Sequence, residues 1–346
     1  MYITVFSATA GPEPPAMPEV TLAISVDTEE DDWGSYSEDG ASTRNIAHLP
    51  EVQALFERHN ARPTYLVTRP PLLHGESLAV LRDLAARSDV EMGIQCHPWN
   101  TPPLLKEAST TSMMCGLPLE TNRAKIRELG GLFRRELRVP PRVFRTGRWA
   151  LGPTVAGALK DEGYAVDCSV SPHIDWSSSG GPDYSEAPTE PYRFHPADPL
   201  RPDAEGTMIQ LPTTIGFLSG NQHRGGRVRR RLERGPLARL GAVGVLDRLG
   251  FLNRRWLSPE ISTGPEMIRL TETLVAAGHR FLQMTFHSCT LLPGATPFVR
   301  TQRDRSAFVE RLGAFLDYSV RAGFTFRTLS EAAEDFSATE SSGTPT

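Results

Sequence analysis

TLAISVDTEEDD, residues 21–32, decides how the chain folds. Its apolar run, Leu22 to Val26, ends abruptly at Asp27, Glu29, Glu30, Asp31 and Asp32. A buried strand that stops at a cluster of carboxylates places acids at the rim of a sheet. In parallel α/β folds that rim, at the carboxyl ends of the strands, is where ligands and metals sit. Taken alone, the same letters read equally well as a strand running into a solvated acidic turn. The choice depends on what the rest of the chain brings to the same rim.

Upstream, residues 1–19 carry Pro12, Pro14, Pro15 and Pro18 and read as a loose arm. Downstream, strand and helix patterns alternate. A Gly/Ser-rich loop (34–43) leads to a helix opened by Pro50 and ending near His59. A strand at 61–68, a helix at 76–87, a strand at 90–96 and an amphipathic helix at 119–137 follow. Next come a strand at 142–144, a helix at 153–163 and a strand at 164–169. The series closes with strands at 207–211, 280–286 and 324–329, helices at 265–278 and 306–322, and a short last helix. The polar residues 337–346 read as a disordered tail. This alternation, undivided by any low-complexity linker, predicts one α/β unit over 20–336, with a parallel sheet curled into a barrel, closed or incomplete. Residues 174–259, rich in Pro, Gly and Arg, read as an insertion on the face that carries the strand ends.

Composition removes several classes of function. Hydrophobic residues at 39% and charged residues at 23% are those of a soluble globular protein. A net charge of −4, from 37 basic and 41 acidic residues, gives no reason to expect nucleic-acid binding. No apolar run approaches the roughly 20 residues that span a bilayer. The first residues lack the positive segment of a secretory signal. Cys96, Cys115, Cys168 and Cys289 are widely spaced with no CxxC pair, which argues against a zinc finger or a disulfide scaffold. The expectation is a cytoplasmic protein with reduced thiols.

Polar residues fall at one strand end after another: Asp27 and Glu29 after the first, His97 after the third, Arg145 after the fourth, Asp167 at the fifth and His287 near the end. Each alone has a dull explanation as a loop cap. Together, on a parallel sheet, they converge on one rim as a site of acids, histidines and an arginine. That chemistry suits hydrolysis by an activated water, with or without a metal.

The chain resembles the polysaccharide deacetylase family, the NodB-homology or carbohydrate esterase 4 group, and within it a bacterial branch with an Asp-x-Glu first motif. The resemblance is carried by SVDTEED (25–31), RPTYLVT (62–68), EMGIQCHPWNTPP (91–103), FRTGRW (144–149), YAVDCSVSPHIDW (164–176) and TFHSCTLLPGATPFV (285–299). It implies a distorted (β/α) barrel with the site at the strand ends. It also implies that Asp27 is the base, Arg145 orients it, His287 is the acid that protonates the departing amine, and Asp167 holds and tunes His287. Glu29 stands at a metal-binding position, and Trp149 and Trp176 where aromatic walls of a sugar groove would be. The activity implied is hydrolysis of a C–N amide bond, namely N-deacetylation of an amino sugar in a surface polysaccharide, glycolipid or precursor.

The second motif departs from the family's pattern. The first metal-binding histidine is replaced by Gln95, His97 comes two residues later, and Trp99 takes the second histidine's place. Glutamine is a weak, neutral ligand, and zinc sites are built from His, Cys and carboxylate. Three outcomes stay open: a divalent metal, zinc in the first place, held by Glu29, His97 and a third group among Gln95, Asp32 or Cys96; a metal-free site acting on a small cyclic amide; or a catalytically silent carbohydrate-binding homologue. Adjacent strand residues point to opposite faces, so Cys96 and His97 are not expected to share an ion. His223 to Arg239, with seven arginines and one acid, Glu233, reads as a solvated face or as a means of capturing an anionic group of a carbohydrate or glycolipid. Its apolar positions would also suit contact with a membrane surface. The sequence does not give an oligomeric state.

Overall fold

The computed structural model describes residues 19–31, 33–36, 41–105, 112–219, 222 and 253–341. Asp32 and the arginine-rich stretch 223–239 lie outside the described residues.

The first strand, β1 (Thr21–Thr28), is buried along nearly its whole length and pairs with three other strands. On one side it pairs in parallel with β11 (Phe281–His287). On the other it pairs with β2 (Pro63–Val67) and, through its first three residues, with β12 (Thr325–Arg327). The sheet continues in parallel through β3 (Glu91–Cys96), β4 (Val143–Thr146), β5 (Val166–Asp167) and β8 (Met208–Gln210). Two antiparallel strands, β6 (Tyr192–His195) and β7 (Asp198–Pro202), end it beyond β8. Part of the predicted insertion is thus sheet rather than an appendage, because β8 supplies the next parallel partner for β5.

The helices α1 (Leu49–Arg58), α2 (Gly75–Ala85), α3 (Leu119–Leu137), α4 (Pro153–Asp161), α5 (Gly264–Ala276) and α6 (Gln302–Arg321) connect these strands. Helix α6 begins before the predicted Ser306 because Thr301 and Asp304 form a reciprocal N-terminal cap. The last helix, α7 (Leu329–Ser341), replaces part of the tail expected to be disordered. Arg193 on β6 reaches Ser337 and Glu340 at 3.1 and 2.6 Å and holds that helix against the sheet.

Strand alternation sorts the residues into two apolar clusters. Leu22, Ile24, Val26, Ile94, Phe144, Met284 and Phe286 face outwards under the helices. Ala23, Leu66, Val143, Phe281 and, from α7, Leu329, Ala332 and Ala333 form a second, separate core. Further along the same strands the positions in step with Ala23, Val143 and Phe281 turn polar: Ser25 and Asp27, Arg145, Gln283, Thr285 and His287.

The curl is not completed by a regular ladder between β8 and β11. Irregular backbone spans the gap instead. Thr214 N–H donates to the Gln283 carbonyl at 3.2 Å, and Leu257 N–H to the Thr214 carbonyl at 2.8 Å. Thr285 N–H donates to the Leu257 carbonyl at 3.1 Å. A small antiparallel pair, β9 (Ile215–Phe217) and β10 (Arg254–Trp256), stands beside this seam. The fold is a distorted, incomplete (β/α) barrel.

Candidate functional site

Register brings the first two candidates together. Asp27 and His287 are direct partners on the parallel strands β1 and β11, and Gln95 and Arg145 are partners on β3 and β4. All four point from the strand ends towards one cavity of about 320 Å³ or its floor.

Arg145 is wholly buried and Asp27 nearly so, at 0% and 1% exposure. The guanidinium Nη1 donates to Asp27 Oδ1 and, at 3.1 Å, to Thr285 Oγ1. Nη2 donates to Ser25 Oγ at 3.0 Å, and Nε to the Cys168 carbonyl at 3.1 Å. Every arm of the arginine is therefore spoken for, and Asp27 is held by one oxygen. Its other oxygen, Oδ2, lies 3.6 Å from His287 Nε2 and accepts from Gln95 Nε2 at 3.3 Å.

The far nitrogen of His287, Nδ1, meets Glu260 Oε2 at 3.0 Å. The backbone N–H of His287 donates to Glu260 Oε1 at 2.9 Å, and the Thr290 hydroxyl donates to the same oxygen. Burial pulls the imidazole towards its neutral form, but the charges of Glu260, then Glu29 and Asp27, more than offset this and push its pKa up to about 10. His287 is an imidazolium at neutral pH.

The sequence expectation that Asp167 holds His287 is corrected here. Asp167 pairs with Phe144 on β4, so it shares the pleat face of Phe144 and not that of its neighbour Arg145. Its oxygens accept from Ser169 N–H and Oγ, both at 2.8 Å. With the Gln210 amide turned to satisfy both its ends, Gln210 donates to Oδ1 at 2.6 Å. Burial raises its pKa to about 7. The carboxylate beside His287 comes instead from Glu260, three residues past the seam at Leu257. The triplet Pro259-Glu260-Ile261 carries no pattern that sequence reasoning could have used.

The second pair of acids forms a separate arrangement around His97. His97 Nδ1 lies 2.8 Å from Glu30 Oε1 and Nε2 lies 3.3 Å from Glu29 Oε2. Glu30, to which the sequence assigned no role, is buried and also accepts from Thr68, Trp99 and Asn100. Burial opposes the charge on His97, but Glu30 and Glu29 outweigh it and push its pKa up to about 10. Glu30 escaped detection because β1 ends at Thr28, beyond which strand alternation no longer says where a side chain points.

This arrangement tests the metal expectation. Glu29 and His97 do meet, and a carboxylate behind a histidine is the usual support of a metal ligand. Among the described residues no third donor joins them: Gln95 turns its amide nitrogen to Asp27, its Oε1 is buried without a partner, and Asp32 lies outside the described residues. Cys96 lies on the outward face in the main core, and burial pushes its thiol up to about 12. Cys289 Sγ donates to Glu29 Oε1 at 3.4 Å. Burial, reinforced by Glu29, raises that thiol's pKa well above its ordinary value. Among the described residues no three His, Cys, Asp or Glu side chains converge as a metal site. Two strong donors do not fit a tightly held zinc ion.

Aromatic side chains wall the cavity. The chain has five tryptophans, and all of them, Trp33, Trp99, Trp149, Trp176 and Trp256, line it. The two walls expected from the sequence, Trp149 and Trp176, are among them. Trp33 meets His287 edge to face at 4.6 Å between centroids, and Trp99 stacks on His97 at 4.1 Å. Trp149 lies over Arg145, with 4.7 Å from the guanidinium carbon to the ring. Arg148 and Trp149 both have φ of +57°, a conformation that is costly outside glycine, at about 1–3 kcal/mol each. Gly147, just before them, packs against His97: a Cβ there would sit 2.6 Å from His97 Cδ2 and 3.0 Å from the Cys96 carbonyl. Gly147→Ala is expected to displace His97 and to destabilise the protein by about 1–3 kcal/mol, read as a lowered urea midpoint.

No family model matches the chain, and no curated protein matches it in sequence. Solved structures do match in fold. A provisionally assigned glycoside hydrolase/deacetylase from Parabacteroides distasonis aligns with a TM-score of 0.57 at 15% identity, over 91% of this chain and 70% of that one. Puue allantoinase aligns with a TM-score of 0.50 at 14% identity, over 93% and 92%. The Xyl-CE4 domain of a multidomain xylanase from the hindgut metagenome of Trinervitermes trinervoides covers 92% of both chains at 11% identity, but its TM-score of 0.43 carries no argument. Likeness at these identities speaks to fold and leaves activity to the site. The chain shares with these two structures the fold of a distorted, incomplete (β/α) barrel.

Proposed function

We propose that this protein is a hydrolase of C–N amide bonds that removes an N-acyl group from an amino-sugar unit. The observation that supports it is the pair formed by Asp27 Oδ2 and His287 Nε2, 3.6 Å apart at the cavity, each fixed from behind by an ion-pair partner. A water between them is deprotonated by Asp27 as its oxygen attacks the amide carbon. His287, already protonated, gives its proton to the nitrogen as the C–N bond breaks. The proton held by Asp27 then returns to His287, leaving a carboxylic acid and a free amine. Arg145 fixes Asp27, and Gln95 turns the same Oδ2 towards the cavity. No step is routed through a metal ion, since the donors among the described residues do not fit one.

A second reading, opening of a small cyclic amide by the same two groups, is favoured by size. A cavity of about 320 Å³ is at the small end of the range for ligand sites and suits one ring better than a length of polymer.

The test is acetate release from a panel of N-acetylated sugars alongside ring opening of small cyclic amides. Asp27→Asn and His287→Ala are each expected to lower kcat/KM by about 10²–10⁴ on the true substrate. Wild-type turnover no faster than theirs on every compound would sink the proposal. Pre-incubation with a chelator, followed by metal analysis, is expected to leave the wild-type rate unchanged. A rate that collapses and returns with added zinc would show that a third ligand is recruited.

A further inference from the structure

The carboxylates that line the cavity are each matched by a cation. Asp27 has Arg145, Glu29 and Glu30 share His97, and Glu260 has His287. One cation that lines the same cavity stands apart. The partners of Arg148 among the described residues are uncharged: Nη1 donates to Ser112 Oγ, and its guanidinium carbon lies 4.7 Å from the centre of the Tyr36 ring. A succession of rings leads away from His97 to this arginine. His97 stacks on Trp99 at 4.1 Å, Trp99 meets Tyr36 at 4.9 Å, and Tyr36 carries Arg148.

The backbone adds an independent sign. Arg148 is held in the left-handed region at φ +57°, where a non-glycine residue persists only if its surroundings insist on it. Among the described residues, a ring contact and a single hydroxyl leave guanidinium N–H groups to face the cavity, and a planar fork of N–H donors is suited to a carboxylate.

We propose that Arg148 is the specificity residue of this cavity and that the substrate is an anionic amide, carrying a carboxylate on the ring that bears the N-acyl group. This rests on the amide-hydrolase reading for the name of the substrate, but its geometry concerns binding alone. The tryptophan-lined walls take the faces of the ring, the Asp27–His287 end takes the amide, and Arg148 takes the carboxylate.

Binding can be read without turnover, because all five tryptophans line the cavity and a ligand there perturbs their fluorescence. The probes are N-acetylglucosamine and its 6-carboxylate counterpart, N-acetylglucosaminuronate, titrated at constant ionic strength into the Asp27→Asn protein, in which cleavage is expected to be slowed by about 10²–10⁴. The acid is expected to bind roughly tenfold or more tighter than the neutral sugar. Arg148→Gln in the same background is expected to bring the two affinities together, and Arg148→Lys to keep part of the preference. Unchanged near-ultraviolet circular dichroism serves as the control for folding. Equal affinities before Arg148 is changed, a preference that survives Arg148→Gln, or no response to either sugar would overturn the proposal. A preference for the acid that vanishes in Arg148→Gln, in a protein that hydrolyses neither compound, would support the anchor while counting against the hydrolase.

Discussion

Arg145→Met is expected to destabilise the protein by about 3–5 kcal/mol and to abolish hydrolysis, whereas Asp27→Asn with Arg145→Met should regain much of that stability and stay inactive. Both charges are buried, so each is tolerable only because the other is present. Removing the guanidinium strands the Asp27 carboxylate and deprives Ser25, Thr285 and the Cys168 carbonyl of a donor. Neutralising both partners removes the stranded charge and leaves only the lost hydrogen bonds. Urea unfolding of the wild type, both single variants and the double variant closes the cycle. A double variant as unstable as Arg145→Met would mean that the arginine acts through its three neutral contacts, and that the ion pair contributes little.

The second large effect concerns the acid. Glu260→Gln should lower kcat/KM by about 10²–10³ and move the basic limb of the pH profile to lower pH. The sign follows from the role proposed for His287, a proton donor that keeps its proton until the pH approaches about 10. Burial works against that proton and Glu260 is the foremost group defending it, so without its charge the proton is lost at lower pH. Asp167→Asn should leave the basic limb where it is, because Asp167 bonds to Ser169 and Gln210 on the other face of the sheet. A profile that moves for Asp167→Asn and not for Glu260→Gln would reverse the assignment. Stability carries the same sign. His97 and His287 hold their protons more firmly folded than unfolded, so their contribution is full below about 6.5 and is lost as the pH rises towards 10.

What could be read from the letters was whatever strand periodicity governs. The run from Thr21 fixed β1, and the polar endings at Asp27, Gln95, Arg145 and His287 fell where the register brings strand ends together. Periodicity also gives the fate of Cys96, which faces the outer core. The same rule, applied to β5, would have turned Asp167 away from the cavity. Its place at a strand end and the family resemblance both pointed to the rim, against the pleat. Glu30 and Glu260 were illegible for another reason. Both sit just beyond or outside regular strands, where direction depends on tertiary contacts: Thr68, Trp99 and Asn100 for Glu30, and Thr290 with the His287 backbone for Glu260. The convergence of every tryptophan on one cavity was only partly visible, since Trp99, Trp149 and Trp176 fall within the strand-end motifs while Trp33 and Trp256 lie outside them.

The irregular seam beside β11 has a further consequence. Asp27 and Arg145 are fastened into a ladder of parallel strands, so the placement of the proposed base cannot drift without breaking the sheet. Glu260 arrives on chain that meets β11 through single hydrogen bonds, from Thr285 N–H to the Leu257 carbonyl and from His287 N–H to Glu260 itself. A change of length or sequence in that chain can retune the proton affinity of His287 while leaving the ladder intact. The operating pH of this scaffold is therefore an adjustable accessory, carried separately from the machinery it serves.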